Sequence, residues 1–323
     1  MRLSYAQRLE DYHLGLVFAD CSTGFYIDVG GGHPIADNVS FWFYLKGWRG
    51  LVVEPQARLA DLYAHIRPRD ITQCTLVGGR EGDVAFHVVD RLHGFSTTVE
   101  SNAQTAASLG AAYETQRLPM RRLQSLTAQH NITHVDFLKI DVEGAEADVL
   151  AGADWKNCRP RVVVLEAVAP GTMAEAWRDW EPFLIAQGYA FAFFDGLNRF
   201  YVANECAELA ARFPAEPAPW DCVQHLWDFG RAPERSDHPD HALAQALVHG
   251  FLAALPSLDH KLLASLLQTG GLASSEGLLF GSAEYPGPES ASATDVTRLM
   301  QSDRVRAALG RIASAYDGGH LME

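Results

Sequence analysis

The amino-acid sequence predicts an α/β protein with a mostly parallel, doubly wound sheet, a C-terminal antiparallel hairpin and a helical C-terminal extension. Short β-rich runs alternate with helical stretches over about the first two hundred residues, as in a parallel sheet wrapped by helices. The last two runs, 190–195 and 199–204, are separated only by Gly-Leu-Asn and therefore predict a hairpin. After Asn204 the β pattern stops and helical spacing replaces it.

Each strand is predicted from a run rich in β-branched and aromatic residues. The predicted strands cover residues 25–30, 50–55, 71–78, 83–89, 136–142, 161–167, 190–195 and 199–204. The predicted helices between them cover residues 4–18, 39–46, 58–67, 123–129, 145–150 and 172–187. Parallel strands of this kind bring their carboxyl ends to one edge, where open α/β sheets bind ligands.

Composition changes divide the chain into three predicted parts. Residues 1–204 form the α/β domain, and residues 205–241 form a Pro-rich, charged linker that contains FPAEPAPW and RAPERSDHPDH. Residues 242–323 form the helical extension, with helices predicted at 242–254, 261–268 and 293–316 around a loose, small-residue segment at 270–293. The apolar stripes of these helices predict either packing onto the protein's own domain or a surface for a dimer or another partner.

Composition also restricts the class of protein. The 323 residues are 48% hydrophobic and 20% charged, which is typical of a globular chain with a large core. No apolar run approaches the about 18 to 20 residues of a membrane span, and MRLSYAQRLEDYH has no signal-peptide core, so we expect a cytoplasmic protein. The net charge of −14 disfavours a nucleic-acid partner, and five cysteines without a CxxC pair fit reduced thiols.

A glycine loop follows the first long β run as Asp28-Val-Gly30-Gly31-Gly32-His33. Glycines at this position let the backbone turn tightly and approach a ligand. A dinucleotide fingerprint read from Gly30 would place its third glycine at position 35, where Ile35 stands, so a hydride-transfer cofactor is disfavoured. The alternative interpretation is a plain glycine turn.

Glu54 ends the next β run and is followed by Pro55, which breaks the strand. A carboxylate at this place can accept hydrogen bonds from both hydroxyls of a ribose above the sheet. A solvated loop charge is the alternative for Glu54 alone. Its combination with the glycine loop predicts nucleoside binding.

Three more carboxylates follow predicted strands. Asp141 and Glu143 come at the end of one β run, and Glu166 comes at the end of the next. Side chains at these strand ends project into the ligand crevice of an open α/β sheet. For Glu143 and the nearby Glu146, a structural role at a helix N-terminus is the alternative.

With these motifs assembled, the chain resembles the FkbM family of S-adenosylmethionine-dependent methyltransferases. The resemblance implies a Rossmann-like class I methyltransferase fold and O-methyl transfer to a hydroxyl of a saccharide or glycoconjugate. A small secondary metabolite as acceptor, or a non-catalytic cofactor-binding scaffold, are the alternatives. The segments that carry the resemblance are SYAQRLED (4–11), FYIDVGGGHP (25–34), WRGLVVEPQ (48–56), GFST (94–97), FLKIDVEGAE (137–146), WEPFLIAQGY (180–189) and FDGLNRFYVANE (194–205).

The resemblance also implies roles for single residues. The glycine loop would hold the methionyl part of the cofactor, Glu54 the ribose, and an N-terminal helix carrying Gln7 and Asp11 on one face would lie across the cofactor. Gly79 stands where the family commonly has an aspartate, so the adenine contacts are open. Gly31 and His33 also depart from the family's loop, which would alter the cofactor loop or the mouth of the substrate site. The predicted cofactor-binding residues are Gln7, Asp28, Gly30, Gly31, Gly32, Glu54, Pro55, Gly78 and Asp141.

Methyl transfer to a hydroxyl requires alignment with the activated methyl group and removal of the hydroxyl proton. The candidate catalytic residues are Asp141, Glu143, Glu166 and His33, with His93 as a further base candidate. Asp141 and Glu166 occupy positions similar to the metal-binding acids of catechol-type O-methyltransferases, which makes Mg²⁺ a candidate second cofactor. The extension is the candidate surface for a homodimer or a glycosyltransferase partner.

Overall fold

The computed structural model describes residues 3–89, 95–169, 174–269, 301, 303–314 and 316. The chain forms two compact units, Met1–Asp228 and Phe229–Glu323. The division falls inside the segment predicted as a linker, because residues 205–228 belong to the first unit. The predicted domain limits themselves stay a prediction.

The first unit is built on a seven-stranded sheet in the order β10-β11-β9-β8-β2-β3-β4. The pairs from β9 to β4 are parallel, while β11 runs antiparallel to both β9 and β10. This topology confirms the predicted doubly wound sheet with its terminal hairpin. The strands are β1 Leu3–Ser4, β2 Phe25–Val29, β3 Arg49–Val53, β4 Ile71–Gln73, β5 Leu76–Val77, β6 Gly82–Val89, β7 Tyr113–Arg121, β8 Val135–Ile140, β9 Pro160–Glu166, β10 Tyr189–Phe194, β11 Asn198–Ala203 and β12 Gln224–His225.

Helices cover both faces of this sheet, because its central strands are apolar on both sides. Every residue of β8 is buried, with Leu138 in the core cluster on one face and Phe137 in the cluster on the other. The helices of the first unit are α1 Glu10–Val17, α2 Phe41–Leu45, α3 Ala57–Ile66, α4 Glu100–Ser108, α5 Leu123–Gln129, α6 Glu146–Ala151 and α7 Glu181–Ala186.

The predicted strand over 71–78 is wrong as a single element. Its first part is β4 of the main sheet, whereas β5 pairs with β7 in a separate three-stranded sheet with β6. The Thr75 hydroxyl donates to the carbonyl of Pro119 on β7 (2.7 Å), which holds the chain where it changes sheets. An apolar run gives no indication of which partner strand each half selects, and β7 and α4 were not predicted.

The predicted helix over 4–18 begins later than expected, at Glu10. Leu9 has a left-handed φ of 62°, which interrupts a helix at this point. Asp11 accepts hydrogen bonds from the Ser4 hydroxyl (2.6 Å) and the Tyr5 amide (2.8 Å), so the preceding segment folds back on the helix start. Gln7 and Asp11 therefore do not share a helical face, which corrects that expectation.

The second unit contains α8 His241–Ala254, α9 His260–Thr269 and α10 Asp303–Ser314, so the predicted helical extension is present. Its core is formed by Leu255, Leu263, Ala264 and Val305. The predicted loose segment 270–293, the start of the predicted final helix, residues 172–173 and His93 lie outside the described residues. No described helix is both long and apolar enough to cross a membrane.

Candidate active site

The glycine loop leaves β2 directly and turns over the carboxyl edge of the sheet. The amides of Gly30 and Gly31 both donate to the carbonyl of Val53 on β3 (3.0 and 3.1 Å). Gly30 has a φ of +76°, and a Cβ there would lie 1.7 Å from the Asp141 carbonyl oxygen. The close approach of these two strand ends therefore requires a glycine.

Glu54 lies beneath this loop and is only 3% exposed. One carboxylate oxygen accepts from the amide of Gly32 and the other from the amide of Gln56, both at 2.8 Å. Burial raises the pKa of Glu54 to about 7, although the two amides oppose the shift. Glu54 is therefore part of the loop's own framework and not a solvated loop charge.

A buried lysine connects the loop to the acids on the neighbouring strand. Lys139 lies opposite Asp28 in the β2–β8 ladder. Its Nζ donates to the Gly30 carbonyl (3.0 Å) and lies 3.1 Å from Asp141 Oδ2 and 3.7 Å from Asp28 Oδ1. Burial opposes the lysine's charge, but Asp141 and Asp28 hold its pKa above the usual value.

Lys139 was missed as a site residue at the sequence level. The signal was present: a lysine inside a strand buried on both faces requires a counter-charge. Asp28, fully buried, supplies part of it, and its second oxygen accepts from the Ser40 hydroxyl (2.5 Å).

Asp141, Glu143 and Glu166 converge at this edge and form what we call the acid chamber. Each contributes one carboxylate oxygen, and these oxygens lie within 4.8 Å of one another. Burial, and then the charge of Asp141, raise the pKa values of Glu143 and Glu166 well above the usual range. Such an arrangement favours a bound proton or another cation between the carboxylates.

The backbone that carries Glu143 is held in an unusual conformation. Glu143 has a φ of 56°, and its carbonyl accepts from the Thr97 hydroxyl (2.8 Å) and the Asn102 side-chain amide (2.7 Å). Glu146 is instead a structural acid, since one of its oxygens accepts from the amides of Val142 (3.3 Å) and Gly144 (3.1 Å). The structural alternative thus describes Glu146, whereas the Glu143 side chain joins the chamber.

A second polar cluster, also missed at the sequence level, borders the chamber. Asn198 pairs with Glu166 across β11 and β9, and its side-chain amide donates to Glu10 (2.7 Å) and Asp195 (3.3 Å). Burial and the neighbouring Asp195 raise the pKa of Glu10 to about 8. The sequence signal for this cluster was the pair of polar residues, Asp195 and Asn198, on either side of the hairpin turn in FDGLN.

The other predicted site residues lie outside the chamber. His33 is exposed, and its Nδ1 accepts from the amides of Ile35 (3.2 Å) and Ala36 (3.1 Å). Gln7 is exposed as well, and the Gly78 amide donates to Arg121 (3.1 Å). The roles assigned to His33, Gln7, Pro55 and Gly78 stay predictions.

The described sheet order and the glycine loop define a Rossmann-like methyltransferase fold. The family profile described as the methyltransferase FkbM domain matches residues 28–191, about half of the chain. The chain therefore belongs to the FkbM methyltransferase family.

Comparison with solved structures gives distant matches. One is a TehB-like SAM-dependent methyltransferase from Corynebacterium glutamicum, with 11% identity, a TM-score of 0.34, and coverage of 60% of this chain and 86% of that chain. Another is a putative O-methyltransferase from Klebsiella pneumoniae, with 12% identity, a TM-score of 0.28, and coverage of 62% and 82%. No curated protein matches the sequence.

Proposed function

We propose that the protein transfers a methyl group from S-adenosylmethionine to a hydroxyl of a saccharide or glycoconjugate. The observation that carries this proposal is the acid chamber, which adjoins the glycine loop through Lys139. It combines a place for a nucleoside cofactor with carboxylates able to take a proton. Membership of the family supports methyl transfer as the reaction, and the carboxylates of the chamber favour an oxygen atom as the methyl acceptor.

The described residues fit the proposed cofactor. Gly32 has a φ of +57° and open space where a Cβ would stand, so the loop leaves room beside Glu54. Asp28 and the loop glycines would hold the methionyl part, and Glu54 would accept from the ribose hydroxyls. When bound, the cofactor supplies an electrophilic methyl group on a positively charged sulfur, which suits a site rich in carboxylates.

The charge of the chamber favours a neutral hydroxyl as acceptor. An amine between Asp141, Glu143 and Glu166 would be held as its ammonium form, which has no lone pair to attack a methyl group. A carbanion acceptor would be repelled by the same carboxylates. A hydroxyl meets neither obstacle.

The proton of that hydroxyl leaves to a chamber carboxylate while the oxygen bonds the methyl carbon and the carbon–sulfur bond breaks. Glu166 is the proposed base: its raised pKa means that it holds a proton in the free site, and it accepts the hydroxyl proton once that first proton has been displaced on binding of the positively charged cofactor. Asp141 keeps Lys139 oriented toward the chamber at 3.1 Å. Glu143 is the third carboxylate of the acid chamber.

The proposal includes Mg²⁺ as an alternative to a shared proton between the carboxylates of the acid chamber. The chamber offers three carboxylate oxygens, the ligand type that this cation prefers, and Asp141 and Glu166 would be joined by Glu143. A proton shared by the acids would relieve the same repulsion. Methyl-transfer assays with EDTA and with added MgCl₂ distinguish the two.

The first test is calorimetry with S-adenosylhomocysteine, with NADH as the control ligand. Binding of the former alone is expected, and the reverse result would replace the proposal with an oxidoreductase. The second test screens nucleotide sugars, oligosaccharides and polyketide-like alcohols with labelled cofactor. Labelled saccharide is expected; labelling of the alcohols alone would favour a secondary-metabolite acceptor, and cofactor binding without any transfer would favour a scaffold.

A further inference from the structure

The segment 218–228, which we call the strap, contacts the N-terminal segment of the first unit. Its strand β12 pairs in parallel with β1, joining Leu3 to Gln224 and Ser4 to His225. The buried His225 ring contacts the Ala6 carbonyl through Nε2 at 2.7 Å. The strap is therefore an ordered part of this unit and lies outside the FkbM domain match.

Two tryptophans of the strap are exposed. Trp220 is 45% exposed and Trp227 is 61% exposed, which is unusual for the largest apolar side chain. The Trp227 indole N–H donates to Asp37 Oδ1 (3.0 Å), and the Trp220 ring lies 4.7 Å from the His225 ring. Each ring is thus held by a contact at one edge and remains partly accessible to solvent.

The contact at Asp37 connects this surface to the glycine loop. The next residue, Asn38, donates from its side chain to the Gly31 carbonyl (2.9 Å), and its amide donates to the Tyr5 carbonyl (2.9 Å). Trp227 is therefore hydrogen-bonded to the segment that follows the glycine loop, and that segment is itself bonded to the loop through Asn38.

We propose that Trp227 and Trp220 form an outer subsite that binds a neutral saccharide ring of the acceptor. The C–H groups on one face of a sugar ring carry a small positive charge and pack on the electron-rich face of an indole. This proposal rests on the proposed function, because it assigns the saccharide acceptor of the same site. If the subsite exists, the protein prefers an extended glycan to a compact alcohol as its acceptor.

The surroundings of the two indoles favour a saccharide over a protein partner. The neighbouring exposed residues include Asp37, Asp221 and Gln224, whose oxygens accept hydrogen bonds from sugar hydroxyls. A protein interface core would instead be a continuous apolar surface depleted of charge. The carboxylates also disfavour anionic sugars.

The test measures binding of glucose and mannose oligosaccharides of one to four units to the full-length protein by saturation-transfer NMR. Affinity is expected to rise with length, and Trp227→Ala is expected to weaken binding of the longest sugars about tenfold or more. Trp227→Phe keeps a ring and is expected to retain most of the affinity. Phe183→Ala, at another exposed aromatic residue on α7, is the matched control and is expected to change nothing.

Kinetics give an independent readout. Trp227→Ala is expected to raise KM for extended acceptors while kcat and S-adenosylhomocysteine affinity stay unchanged. Equal glycan affinity of the parent and Trp227→Ala overturns the subsite, as does a change in self-association of Trp227→Ala without a change in glycan binding. Glycan binding that depends on Trp227 in a protein without methyl transfer keeps the subsite and removes only the proposed function.

Discussion

Two groups of carboxylates stand at the same edge of the sheet, and their surroundings differ. On the side of β2 and β3, Asp28 and Glu54 are buried and accept hydrogen bonds from Ser40 and from two backbone amides. On the side of β8 and β9, Glu143 and Glu166 have no hydrogen bond to either carboxylate among the described residues. They face Asp141 instead.

The difference separates positioning from chemistry. A carboxylate whose lone pairs are already used by backbone amides fixes a loop and offers its remaining capacity to a ligand. Carboxylates that face one another hold a proton strongly and can exchange it when a cationic ligand arrives. The first group therefore suits cofactor binding, and the second suits proton removal from an acceptor.

The largest expected effect is on the acid chamber. Glu166→Gln should lower the methyl-transfer rate about a hundredfold or more, since general-base catalysis contributes roughly that much. Cofactor affinity should stay near the parent value, because the cofactor is assigned to the other group. Single-turnover assays with labelled cofactor measure the rate, and Glu208→Gln, at an exposed glutamate, is the control. An unchanged rate in Glu166→Gln would remove its catalytic role.

The next effect is on the positioning group. Glu54→Ala should weaken S-adenosylhomocysteine binding by about 2 kcal/mol or more, roughly thirtyfold, because hydrogen bonds to a charged group are lost. Glu54→Gln keeps one acceptor oxygen and should lose less. Calorimetry checks both variants. Parent-like binding by Glu54→Ala would show that the ribose lies elsewhere.

The pH dependence of stability should also separate the two groups. The raised pKa of Glu166 means that the folded state holds a proton that the unfolded state releases above pH of about 4.5. The stabilisation from this bound proton is therefore fully present below pH of about 4.5 and is lost as the pH rises toward the pKa of Glu166 in the folded state. Glu166→Gln should be more stable than the parent by about 1 to 3 kcal/mol at pH 8 and equally stable at pH 4.

Glu54→Gln is the comparison for that experiment. Its amide group offers only one oxygen, so one of the amides of Gly32 and Gln56 loses its acceptor, and no stabilisation is expected at pH 8. Urea denaturation at both pH values measures the free energies of unfolding. Equal pH profiles for the parent and Glu166→Gln would contradict the assignment of the bound proton.

The smallest expected effect is on the second unit. A chain that ends at Asp228 keeps both carboxylate groups and should bind S-adenosylhomocysteine within about twofold of the parent.

A chain that ends at Asn204 also loses Leu209 and Phe213, which are buried in the core. Each loss should lower the free energy of unfolding by about 1.5 to 3 kcal/mol. The shorter chain should precipitate. Sedimentation of both proteins reports their masses, and a soluble shorter chain would show that residues 205–228 are dispensable.

The amino-acid sequence by itself determined the fold class and the position of the glycine loop and Glu54 at the carboxyl edge of the sheet. Alternating β-rich and helical runs predict the doubly wound sheet, and the sheet order confirms it. The glycine loop and Glu54 are adjacent to strand ends in the sequence, so local pattern was enough to place them at the ligand-binding edge.

Tertiary structure alone decided the partners of these residues. The position of Lys139 among Asp28, Asp141 and the Gly30 carbonyl depends on the register of β2 against β8, two strands that are more than a hundred residues apart. The split of the predicted strand 71–78 and the return of β12 to β1 likewise depend on long-range pairing. Periodicity reports which face of an element is buried, and it carries no information about which distant element covers that face.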